Sequence, residues 1–64
     1  RNTYACTVTE ITALGSRLRV LLTGADCPAL VAEITPEAAA DLALREGTPV
    51  WASVKATDIT LVAL

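Results

Sequence analysis

Lys55, Ala56 and Thr57 stand in succession near the end of this chain and place an ammonium, a lightly shielded backbone and a hydroxyl side by side. An ammonium donates three hydrogen bonds and accepts none, and a hydroxyl can add another, so the set suits a ligand that only accepts, such as an oxyanion. Ala56 is small enough to let such a ligand approach the main chain. Two more donors, Arg1 and Asn2, open the sequence, and Thr35 precedes a segment with helix signals, a position from which an anion can be faced. Each also has a plainer reading. Lys55 reads equally as a solvent lysine at a strand end, Arg1-Asn2 as a frayed terminus and Thr35 as an ordinary helix cap.

Other chemistries find little support. The chain has no histidine, no nucleophile elbow and no glycine-rich phosphate loop, so the isolated domain is not expected to be an enzyme, although a parent chain could be an ATPase. Glu37 and Asp41 lie one helical turn apart. They read as the solvated face of a helix rather than a metal pair, since acidic charge is favoured near a helix N-terminus. Cys6 and Cys27 are too few and too unpatterned for a zinc site and are expected to be reduced thiols used as small apolar residues. A net charge of −2 argues against a broad grip on nucleic acid. With Tyr4 and Trp51 as the aromatic residues, a stacking groove for single strands is also lacking.

No apolar run approaches the roughly 20 residues of a membrane helix, and no signal peptide or lipidation motif is visible, so a cytoplasmic protein without membrane insertion is expected. The sequence contains no methionine and begins with arginine, and it therefore reads as a domain cut from something larger.

The elements that must position these groups are short. Turn signals fall at Gly15-Ser16, from Gly24 to Pro28 and from Glu46 to Pro49. Between them, Leu18, Val20 and Leu22 alternate with Arg17 and Arg19, the period-two pattern of a half-buried strand. The same alternation puts Leu30, Ala32 and Ile34, then Val50, Ala52 and Val54, then Ile59, Leu61 and Ala63 on core faces. From Tyr4 to Leu14 the phase breaks, because Cys6 and Val8 agree but Ile11 does not; one extra residue near Thr9-Glu10, a bulge in a bent strand, restores it. The segment TPEAAADLAL is helical in character, with Thr35 to cap, Pro36 at the first position, Glu37 at the positive end and Gly47 as a later stop signal.

Three strands, a short helix and two strands predict a mainly β domain over residues 1–64, a small five-stranded OB-like Greek-key barrel with its α-helix between strands 3 and 4. A chain of 64 residues buries only about 60% of its unfolded surface. Leu21, Val31, Trp51 and Val62 are left on outer faces, and a second buried surface, an oligomer interface, is expected there.

The Arg1-Asn2 start, the EIT stretch before an alanine-rich helix, LALREG after it and VWASVKATD near the end together resemble the molybdate-binding Mop domain, the molbindin branch of the TOBE domains. The likeness runs through nearly the whole chain. Cys6 stands where that family usually has glycine, and Ala38 where it has a polar residue. The resemblance implies OB-like barrels that associate, either as free-standing molbindins or as the C-terminal part of the ATP-binding subunit of a molybdate ABC transporter. It also implies molybdate or tungstate as bound ligand, held between subunits, with no organic cofactor. Carried over by position, the contacts fall on Arg1 with Asn2 beside it, on Thr35, and on Lys55 with Ala56, next to the hydroxyl of Thr57. The expected roles are molybdate storage or homeostasis, or regulation of a transporter ATPase. The alternative is a TOBE module that dimerises an ABC transporter subunit and contacts no anion.

Overall fold

The structure, a computed structural model, describes residues 2–56 and 58–64, with the side chain of Ala63 excluded. Five strands, β1 (Asn2–Leu14), β2 (Arg17–Gly24), β3 (Cys27–Ile34), β4 (Pro49–Lys55) and β5 (Asp58–Ala63), form one antiparallel sheet, and the helix α1 (Pro36–Asp41) lies between β3 and β4. The strand order β3-β2-β1-β4-β5 makes β4 return to the open side of β1, which is the Greek-key connection expected from the element order. The sheet curls until β3 and β5 face each other across a cleft of about 530 Å³ lined by Val31, Ala32, Glu33, Asp58, Ile59 and Thr60. The barrel is therefore partly open at that seam.

β1 serves two partners. Its first half pairs with β4, from Asn2 opposite Val54 to Thr7 opposite Pro49, and its second half pairs with β2, from Thr7 opposite Thr23 to Leu14 opposite Arg17. The expected bulge lies between Val8 and Glu10, and the Thr9 hydroxyl donates to the Leu21 carbonyl at 3.1 Å. That extra residue keeps Cys6 and Val8 before it and Ile11 after it on one core. Val20, Leu22, Ala32, Val50, Ala52 and Leu61 complete the buried cluster, each drawn from the alternating patterns of its strand.

α1 begins as the sequence predicts. It ends earlier than Gly47 suggests. Leu42 closes it, Ala43 turns left-handed at φ 53°, and the N–H groups of Ala43 and Leu44 donate to the carbonyls of Ala40 and Ala39 at 3.1 and 3.0 Å. This is the two-bond reversal that usually places glycine at the turning residue. Leu42 and Leu44 on either side of this turn both pack on the core. Gly47, at φ 93°, serves instead in the loop that follows, where its N–H donates to the Val8 carbonyl at 2.7 Å beside the bulge.

The cysteines depart from expectation. Instead of two free thiols, Cys6 and Cys27 form a disulfide with Cα atoms 6.2 Å apart. Alternation places Cys6 correctly on the core face of β1, and its partner reaches it through register: Cys27 pairs with Gly24, which follows the Thr23–Thr7 pair and lies close against Ala5 and Cys6. Gly24, the last residue of β2, makes that approach possible: a Cβ there would stand 2.7 Å from the Ala5 carbonyl oxygen and 3.0 Å from the Cβ of Cys27.

Candidate functional site

Lys55 ends β4 on the outer face, exposed, and pairs with Asp58 across the turn to β5. Ala56, the first residue of that turn, has φ 53°, a left-handed conformation that costs a non-glycine residue on the order of 1 kcal/mol. Asn2 lies opposite Val54, so the start of β1 lies alongside the end of β4, with Asn2 on the face of Val54 and Lys55 on the other. One row further in, the Thr3 and Ser53 hydroxyls are 3.4 Å apart, and Thr60 faces Ser53 from β5. Ser53, Lys55, Asp58, Thr60 and Val62 line a shallow depression of about 400 Å³. It combines one ammonium and several hydroxyls with one carboxylate. The described residues give an ion pair between Arg19 and Glu33 at 3.6 Å, in which Lys55 takes no part.

The sequence-predicted donors thus separate into groups. Asn2, Lys55 and Ala56 lie at one end of the β1–β4 ladder, with Asn2 on the face of Val54 and Lys55 on the outer face. Arg1 and Thr57 lie outside the described residues. Thr35 is elsewhere: it follows Ile34, which pairs with Leu18, which in turn pairs with Ala13 near the opposite end of β1. Its Oγ1 accepts from the Ala38 N–H at 3.1 Å, as an N-cap does. Capping uses a lone pair and leaves the hydroxyl proton able to donate, so a cap and an anion contact are compatible in this residue. Thr35→Ala is expected to cost about 1 kcal/mol, within a range of roughly 0.5–2, in urea unfolding of the protein without added ligand.

Periodicity puts Ser53 on the face of Lys55 but does not identify Thr60 or Asp58 as its neighbours. Their signal is cross-strand register: once β4 and β5 are a hairpin closed by two residues, Thr60 must oppose Ser53 and Asp58 must oppose Lys55. Glu37 and Asp41 are exposed on α1, and no cluster of metal-ligating side chains occurs among the described residues.

The apolar outer faces are where alternation puts them. Trp51 and Val62 oppose each other on β4 and β5 and are 43% and 52% exposed, with Ala5 beside Trp51 on β1. Val31 is also 52% exposed, while its neighbour Leu21 is half-buried. Leu14 and Leu64 are exposed as well and were not singled out by periodicity. No helix among the described residues is long and apolar enough to cross a membrane.

Compared with known proteins, the chain matches the family model of the TOBE domain over residues 1–61. No curated protein and no solved structure gives a significant match.

Proposed function

This chain belongs to the TOBE-domain family, and on that premise we propose that it binds a tetrahedral oxyanion of the molybdate or tungstate type between protomers. The observation that carries the reading is the exposed Lys55 at the end of β4, set with the hydroxyls of Ser53 and Thr60 in one depression on the outer face. The role is molybdate storage or homeostasis in the cytoplasm, or ligand sensing by a molybdate ABC transporter ATPase of which this is a domain.

Energetics favour a shared site. Micromolar affinity requires about −8 kcal/mol, and each hydrogen bond to a charged group contributes roughly 1.5–3 kcal/mol before the dianion's dehydration is offset. One protomer offers Lys55 with the hydroxyls of Ser53 and Thr60 and with Asp58 opposing, while Thr35 hangs at the far end of β1. A second protomer can bring its own Thr35 to the first protomer's Lys55. The exposed Trp51 and Val62 supply apolar surface for that association.

Molybdate at about 100 times its dissociation constant should stabilise the protein by roughly 2.7 kcal/mol, a rise in melting temperature of roughly 10 °C or more. Lys55→Ala should abolish that rise while leaving the melting temperature without ligand nearly unchanged, because the lysine is exposed. The second reading, a TOBE module that only joins transporter subunits, is favoured by the carboxylate of Asp58 opposite Lys55. Calorimetry decides between them: no heat with molybdate, tungstate or sulfate on protein verified as oligomeric would leave association alone.

A further inference from the structure

We propose that Cys27 is a thiol–disulfide exchange site, through which low-molecular-weight thiols and disulfides open and close a covalent clamp between β1 and the β2–β3 turn. The inference is independent of the oxyanion reading.

The clamp is placed where hydrogen bonding stops. The β1–β2 ladder ends at Thr7 opposite Thr23, so the segment Asn2–Cys6 has β4 on one side and no strand ladder on the other. The β2–β3 turn lies against the Ala5–Cys6 part of that open side, so close that a Cβ on Gly24 would stand 2.7 Å from the Ala5 carbonyl oxygen and 3.5 Å from the Cys6 Cα. The disulfide is the covalent fastening between the two. Without it, the turn rests on Ala5–Cys6 through packing alone.

The two cysteines differ in exposure. Cys6 is 3% exposed inside the core cluster, whereas Cys27 is only partly buried, at the start of an edge strand. An incoming thiolate must therefore attack the Cys27 sulfur. In that step the S–S bond to Cys6 breaks, a mixed disulfide forms on Cys27, and Cys6 leaves as a thiolate that takes a proton from water. A second small thiolate then attacks the small molecule's own sulfur, releasing its disulfide and the Cys27 thiolate. The two steps together transfer two electrons from two small thiols to the protein, and the reverse sequence, with a small disulfide as oxidant, closes the clamp. Leaving Cys6 buried as a neutral thiol costs little, since a free cysteine packs as a small apolar residue. The cycle can therefore run on a folded chain.

A crosslink spanning 21 residues restricts the unfolded chain enough to shift the unfolding equilibrium by on the order of a hundredfold. In a domain this small the shift in melting temperature is roughly 10–20 °C. The chain is equilibrated with reduced and oxidised glutathione at a series of ratios, quenched with acid, alkylated and mapped by mass spectrometry, and melted at each ratio. The expected results are a fully reduced and a disulfide form, a trapped glutathione adduct on Cys27, and a melting temperature that falls by the stated amount as the disulfide is lost. Hydrogen exchange should quicken on reduction at residues 2–6 and 24–28 before the rest of the sheet. Cys27→Ser should melt at the same temperature under every ratio. An adduct confined to Cys6, thiols that stay free at the most oxidising ratio, or a melting temperature unmoved by the couple would each overturn the proposal. The wild-type measurements suffice should Cys27→Ser fail to fold.

Discussion

Leu22→Ala is expected to bring the domain close to its unfolding midpoint in plain buffer at room temperature. Leu22 is fully buried at the centre of β2, between Val8 across the β1 ladder and Leu30 across the β3 ladder. Truncating a buried leucine costs about 2–5 kcal/mol, the spread reflecting how far neighbours collapse into the space. Here they have little freedom, because Val8, Val20 and Val50, also fully buried, are β-branched and held by strand pairing. A chain of 64 residues has about 3–10 kcal/mol of stability in total. The loss therefore consumes a large share of what exists. Urea unfolding followed by tryptophan fluorescence measures it through Trp51, and Leu22→Met, which conserves volume, should lose less than about 1.5 kcal/mol. Equal losses for the two variants would mean that the core does not sense packing at this position.

Gly24→Ala is expected to cost roughly 2–3 kcal/mol for a different reason. The glycine is not needed for a left-handed backbone here, since its φ is not positive. It is needed because a methyl group would meet the Ala5 carbonyl oxygen at 2.7 Å and the Cβ of Cys27 at 3.0 Å. Neither obstacle is the flexible end of a side chain: one is backbone in a paired strand and the other belongs to a crosslinked residue. Gly15→Ala is the instructive comparison. Gly15 has φ 62° but nothing within 4 Å of an added Cβ, so it should lose only about 1–2 kcal/mol of backbone strain. Should Gly24→Ala prove the milder of the two in thermal melts, the close approach of the turn to β1 is not what limits the position.

Particular residues show what could be read before the fold was known. The strands follow from alternation because each has one face on a single core, and the bulge follows from Ile11 being out of phase with Val8. The start of α1 is written locally in Thr35, Pro36 and Glu37. Its end is not, because the turn at Ala43 uses no glycine. The left-handed Ala56 is hidden for the same reason: its tight hairpin has no glycine or asparagine signal at that position. The disulfide depends on the β2–β3 turn lying close against β1, a tertiary fact that the spacing of two cysteines does not contain. The adjacency of β1 and β4 lies between these cases. Alternation shows Tyr4–Leu14 and the segment from Val50 to Lys55 to be strands, and only the Greek-key return of β4 makes them neighbours.

The division of β1 between two partners also sets an order of events during folding. β1–β2 and β2–β3 are joined by short turns and close over short stretches of chain, whereas the β1–β4 ladder joins distant residues such as Thr3 and Ser53, 50 positions apart. Loop closure costs more entropy as the loop lengthens, so the three-stranded meander can form first and the Asn2–Thr7 segment waits for β4. Ser53, beside Lys55, meets Thr3 only at that last closure, and the surroundings of the ammonium are a property of the finished molecule that no partly folded chain possesses.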